Sequence, residues 1–112
     1  MKRIEAVVRT TKVGDVCTAL NKVGHPGVMI SEIEGHGTQQ GVAQEFRGKT
    51  YKLEFLTKTV IQVVAKDEDV ERIVSAICDA ARTGEVGDGK IFIHPVADAL
   101  RIRTGERGDK AL

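Results

Sequence analysis

Apolar residues recur with two distinct periods along the 112-residue chain. Ile4 to Val8 is short and rich in β-branched residues, bounded by Lys2-Arg3 and Thr10-Thr11, and predicts a first strand. The spacing then lengthens. Val13, Val16, Cys17, Leu20 and Val23 stand three or four apart with polar residues between them, so one face of a helix is apolar. Gly24 and Pro26-Gly27 end that helix, because glycine accepts positive φ and proline cannot continue the backbone hydrogen bonds. Val28 to Ile33 alternates and predicts a second strand, while Thr59 to Ala65 (Thr-Val-Ile-Gln-Val-Val-Ala) is the strongest strand signal in the chain. Asp67 is placed to N-cap a second helix, with the stripe Val70, Ile73, Val74, Ile77, Cys78 and Ala81, and Thr83-Gly84 closes it. Lys90 to Val96 predicts the last strand, ahead of a polar, basic arm over 98–112.

Between the second and third strands both periods vanish. Residues 35–56 hold Gly35, Gly37, Gly41 and Gly48 among many charges, which predicts a long loop, about 37–55, of the kind that usually carries function. The order strand, helix, strand, strand, helix, strand predicts one α+β domain over 1–112, a ferredoxin-like βαββαβ sandwich. Its antiparallel sheet carries both helices on one face. Because the strands are apolar on both sides, the second face needs a cover, which predicts association through that face.

Charge names no partner: 17 Lys and Arg against 16 Asp and Glu leave a formal +1, far from the excess of a nucleic-acid or anionic-lipid binder. No apolar run approaches the roughly 20 residues that span a bilayer, and Met1-Lys2-Arg3-Ile4 leads into no signal-peptide block, so a cytoplasmic protein is expected. Cys17 and Cys78 fall on the apolar helix faces without Cys or His at metal-ligand spacing, which predicts buried, reduced thiols.

Two clusters suit a phosphate. In Gly84-Glu85-Val86-Gly87-Asp88-Gly89-Lys90, a turn over about 82–90, the glycines let backbone N–H groups approach an anion and Lys90 adds a point charge. Taken alone this turn is weak evidence, since it lacks the Gly-Lys-Ser/Thr of a P-loop. Arg101 and Arg103 alternate about Ile102, so on an extended segment both guanidinium groups project the same way and can fork a pyrophosphate. Catalytic constellations are poor. His25, His36 and His94 belong to no evident triad, and Glu68, Asp69 and Glu71 are explained by the dipole of the helix they open. A binding protein is expected, not an enzyme.

Thr83 to Ile93 (Thr-Gly-Glu-Val-Gly-Asp-Gly-Lys-Ile-Phe-Ile) resembles the signature of the PII nitrogen-regulatory signalling proteins throughout. Arg101-Ile102-Arg103-Thr104-Gly105-Glu106 fits the same family, as do Gly35 to Gly41, Arg47-Gly48, Tyr51 and Phe55-Leu56-Thr57-Lys58, so the resemblance spans the full length. It implies a ferredoxin-like homotrimer with nucleotide clefts between subunits, where ATP and ADP compete. Carried over by position, Gly87, Asp88, Gly89 and Lys90 would hold phosphates from one side, with Arg101, Ile102 and Arg103 closing on them. Met29, Gly37, Thr38, Gln39 and Val64 would line the same cleft. The resemblance further implies that Mg²⁺ on ATP completes a site for 2-oxoglutarate, with Gln39 as metal ligand, Gln40 and Gly41 offering backbone N–H groups and Lys58 pairing with the dicarboxylate. Such a cation bridges two anions that would otherwise repel, so the metabolite should bind well only beside Mg-ATP.

In this reading ligand occupancy selects a conformation of the long loop, which docks into a target, an ammonium transporter or a nitrogen-metabolism enzyme, and any contact with a membrane is through that transporter. Arg47 matches the position that enters the ammonium channel and Tyr51 the nucleotidylated tyrosine. The chain departs from the family pattern at Lys49-Thr50 before Tyr51, at Met29 and Thr38, where threonine and arginine are usual, and at Thr10-Thr11 in place of Pro-Phe. Two alternatives stay open: an adenylate sensor of this type retuned to another transporter or enzyme through Lys49, Thr50 and Lys52, and an ATP-hydrolysing or phosphoryl-transfer enzyme using the same turn.

Overall fold

The computed structural model describes the backbone of every residue except Pro26, Arg47 and Gly48, and the side chains of all residues outside those and 34–56. Its elements are β1 (Lys2–Arg9), α1 (Val13–Lys22), β2 (Met29–Phe46), β3 (Lys49–Ala65), α2 (Val70–Ala81) and β4 (Gly89–Pro95), with single 3-10 turns at Thr10–Lys12, Asp67–Asp69 and Gly108–Ala111. The strands form one antiparallel sheet in the order β2-β3-β1-β4. This is the expected ferredoxin-like arrangement, with both helices on one face.

Alternation sorts the sheet cleanly. Ile4, Ala6 and Val8 of β1 and Ile61, Val63 and Ala65 of β3 turn toward the helices and pack on Val16 and Leu20 of α1 and Val70, Ile73, Ile77 and Ala81 of α2. The buried polar group on this face is Thr59, whose hydroxyl meets that of Thr10 at 3.0 Å, while Thr10 also donates to the Thr57 carbonyl at 3.2 Å. Thr10, without a role in the sequence pattern, thus satisfies a hydroxyl that would otherwise be buried and unpaired. The opposite face has no cover among the described residues. It exposes Met29, Ile33 and Phe92 beside the half-buried Val7, Val60 and Val64.

Three expectations need correction. The predicted loop at about 37–55 is a ladder: β2 and β3 stay paired in one register from Met29↔Gln62 to Thr38↔Leu53, then resume from Ala43↔Lys52 to Phe46↔Lys49. Propagating an existing antiparallel pair satisfies backbone groups that a loop would leave to water, and this outweighs the low strand propensity of Gly35, Gly37 and Gly41. Asp67 does not cap α2. Asp69 occupies the N-cap position without a side-chain cap bond, and the Asp67 carboxylate instead takes the N-terminal ammonium of Met1 at 2.5 Å. Cys17 and Cys78 are both free thiols, as expected, but half-buried instead of fully enclosed.

Candidate functional site

The turn between α2 and β4 is organised by a carboxylate. After Ala81, Arg82 leaves the helix in an extended conformation, and the Asp88 side chain folds back to accept the backbone N–H groups of Thr83 and Gly84 at 2.8 and 2.9 Å. Its other oxygen accepts the Thr83 hydroxyl and lies 3.4 Å from Arg9 Nε. Arg9 Nη2 also donates to the Val86 carbonyl at 2.8 Å, and the Lys58 ammonium donates to the Gly87 carbonyl. Gly87 and Gly89 have φ of 102° and 105°, a region that side chains with a Cβ rarely enter. At Gly89, paired with Val8, a Cβ would lie 1.7 Å from the Val7 carbonyl oxygen, so two backbones touch where the turn enters the sheet.

The register concentrates positive charge here. Arg9 pairs with Lys58 across β1 and β3, and Val7, two residues back on the same face, pairs with Lys90 of β4. Three cations and a glycine turn therefore share one end of the uncovered face, a setting suited to an anion. Burial, and next the charge of Arg9, push the Lys58 ammonium below its ordinary pKa, while Asp88 opposes them. The Thr83 hydroxyl, with the N–H groups of Thr83 and Gly84 and with Arg9, holds the Asp88 carboxyl well below the usual carboxylate range despite its desolvation.

A depressed carboxyl stabilises the fold above its unfolded-state pKa and loses that contribution as pH falls toward the folded-state value. The difference in thermal midpoint between the unaltered chain and Asp88→Asn is therefore expected to be constant near neutral pH. It should shrink as pH falls below about 4, as thermal scans across an acid series will show.

The other predicted site residues are dispersed. Met29 lies on the β2 edge, three strand spacings or about 14 Å from Lys90 on the β4 edge. Val64 pairs with Arg3, four residues along β3 from Val60, which is level with Lys90, at the far end of the sheet. Arg101 and Arg103 follow the far end of β4, and the extended segment expected of them is a turn closed by an isolated bridge between Leu100 and Arg107. The Gly105 N–H donates to the Arg101 carbonyl at 2.7 Å, and Asp98 clasps the turn by accepting from Arg107 at 2.8 Å and from the Gly108 N–H at 3.1 Å. Arg101 is paired with Glu106 at 3.1 Å and donates to the Leu112 carbonyl at 3.3 Å, whereas Ile102 is 95% exposed and Arg103 is exposed beside it. The two guanidinium groups are not a preformed fork.

Gly37 and Thr38 sit in the ladder opposite Glu54 and Leu53. Gln39, Gln40 and Gly41 fall in the register break between Thr38 and Ala43, where backbone groups escape regular pairing. Leu53 is five residues from Lys58, about 16 Å along β3, so Gln39 is not brought beside Lys58. Arg47 and the side chain of Tyr51 lie outside the described residues. Sequence reasoning missed Arg9, an isolated cation in a strand with no motif around it. It also missed that the Asp88 carboxylate serves the turn itself.

No helix among the described residues is long and apolar enough to cross a membrane. A small ferredoxin-like domain with an uncovered sheet face and a cation-rich glycine turn is the class that fold and site define. The profile of the family described as Nitrogen regulatory protein P-II matches residues 1–106. The chain is 46% identical over 112 residues to Nitrogen regulatory protein P-II of Microchaete diplosiphon, covering 100% of both. It is 45% identical over 112 residues to Nitrogen regulatory protein P-II 2 of Methanothermobacter thermautotrophicus, covering 100% of this chain and 97% of the relative. A solved structure described as Arabidopsis thaliana PII bound to citrate superposes with a TM-score of 0.81 at 40% identity, over 99% of this chain and 91% of the other. The chain belongs to the P-II nitrogen regulatory protein family.

Proposed function

We propose that the protein is a cytoplasmic, trimeric sensor of ATP and ADP that binds 2-oxoglutarate with Mg-ATP and signals by protein binding, not by catalysis. The observation that carries this reading is the division of its site. The glycine turn, Lys58 and Lys90 lie at one end of the sheet, and Val64, Arg101 and Arg103 lie at the other, with Met29 on the opposite edge. A β2 edge set against a neighbouring copy's β4 edge would bring Met29 of one copy beside Lys90 of the next. The turn and the arginines would likewise be contributed by different copies, and the uncovered apolar face would supply the driving force for that assembly. Arg3 Nε and His94 Nε2, on the same face, are buried without a hydrogen-bond partner among the described residues, and a second copy can provide partners.

In each cleft Gly87 to Lys90 of one copy would take the phosphates, and Arg101 and Arg103 of the next would exchange Glu106 for them. Gln39 would hold Mg²⁺ on the phosphates, and Lys58 would pair with the dicarboxylate. Oxygen donors from an amide and a nucleotide suit a hard cation. The citrate bound to the Arabidopsis relative supports a site for small polycarboxylates in this fold. Because the ladder keeps Gln39 away from Lys58, ligand binding must reorganise the base of the β2–β3 hairpin, and that movement would carry Arg47 and Tyr51 to or from an ammonium transporter or nitrogen-metabolism enzyme.

Mixed assemblies test the divided site. Lys90→Met and Arg101→Met/Arg103→Met homotrimers should each bind ATP at least about tenfold more weakly, each lacking charged phosphate contacts in every cleft. Trimers containing both kinds of subunit should regain sites of unaltered affinity, because some clefts receive an intact half from each. If no mixture regains a tight site, the two halves do not meet between copies.

A further inference from the structure

We infer that Arg9 is a positioning residue for the phosphate-binding turn: its guanidinium fixes the Val86–Gly87 peptide so that the Gly87 N–H faces an incoming phosphate. The inference rests on the nucleotide reading for its ligand, and its geometry is a property of the free protein. Arg9 Nη2 donates to the Val86 carbonyl at 2.8 Å while Nε reaches the Asp88 carboxylate at 3.4 Å, so one planar group ties two points of the turn. The peptide is trans, and in a trans peptide the N–H points opposite to the C=O. Holding the Val86 oxygen against Arg9 therefore aims the Gly87 N–H away from it. Lys58 does the same for the next peptide by binding the Gly87 carbonyl, which aims the Asp88 N–H outward. Two successive N–H groups held in one direction make a concavity for an anion, and with φ of 102° Gly87 allows the fold.

Arg9 is well supported for this task. It is the last residue of β1, mostly shielded at 28% side-chain exposure, opposite Lys58, and its strand position is set by the same register that buries Val8. An ammonium at this position keeps the charge but cannot span both the Val86 oxygen and the Asp88 carboxylate in one plane. The role is thus separable from simple attraction of a phosphate.

Arg9→Lys and Arg9→Met separate the two. Orientation of the peptide predicts that both variants bind ATP about tenfold more weakly than the unaltered protein in equilibrium titrations, and that the Gly87 amide resonance of the nucleotide-free protein shifts in both. If Arg9→Lys binds ATP as the unaltered protein does, the side chain acts as a charge alone and the inference is overturned. Should the unaltered protein bind no ATP, the nucleotide reading fails by itself. The Gly87 amide then still decides the role of Arg9, and an unchanged resonance in Arg9→Lys refutes it.

Discussion

Gly89→Ala is expected to lower stability by about 3 kcal/mol and to weaken ATP binding about 100-fold. The methyl group would stand 1.7 Å from the Val7 carbonyl oxygen, on a residue whose φ is 105°. Both obstacles are backbone, so no rotamer relieves them. Either β4 slides off β1 at the Val8↔Gly89 pair or the turn abandons its conformation. The first route opens the sheet beside the core residue Val8, and the second removes the N–H groups proposed to face the phosphates. A turn that must be rebuilt at a cost of about 3 kcal/mol loses roughly two orders of magnitude in affinity. Chemical denaturation and a nucleotide titration on the same preparation measure both consequences.

Lys58→Met carries the second large effect, this time on the metabolite. The side chain is half-buried, and a dicarboxylate pairing with its ammonium would make a charge-assisted contact worth about 2–3 kcal/mol. Loss of that contact should weaken 2-oxoglutarate binding by about 100-fold in the presence of Mg-ATP. ATP itself should lose much less, because Lys58 touches the turn only at the Gly87 carbonyl while Arg9 and Asp88 hold it elsewhere. A depressed ammonium pKa makes the contact pH-sensitive as well: the group begins to lose its charge at lower pH than a free lysine, so metabolite affinity should decline earlier on the alkaline side. Equal losses of ATP and 2-oxoglutarate affinity in Lys58→Met would place the residue in the scaffold of the turn instead.

Helices and core strands were legible because burial writes itself into spacing. The stripe from Val70 to Ala81 predicts α2 within its observed limits, and Ile4 to Val8 predicts β1 short by its polar ends, Lys2, Arg3 and Arg9. Such ends are paired by register, which extends beyond the apolar residues that anchor it. The same cause hid the β2–β3 hairpin, where pairing from Glu34 to Phe46 follows the core ladder through glycines and charges that carry no strand period. At the site, composition located the turn but not its wiring. Thr83, Gly84 and Asp88 are close in sequence and their hydrogen bonds are local, whereas Arg9 and Lys58 reach the turn only through strand pairing. Arg101 and Arg103 show the converse. Their alternation suggests an extended fork, and Glu106, five residues on, draws Arg101 into a turn.

The central claim is that nucleotide and metabolite share one site, joined by a metal. Isothermal titration of 2-oxoglutarate into the protein, first alone and then with saturating Mg-ATP, tests it most directly. Tight binding only in the second titration, at one 2-oxoglutarate per chain, is the predicted result; equal binding in both, or none in either, would contradict it.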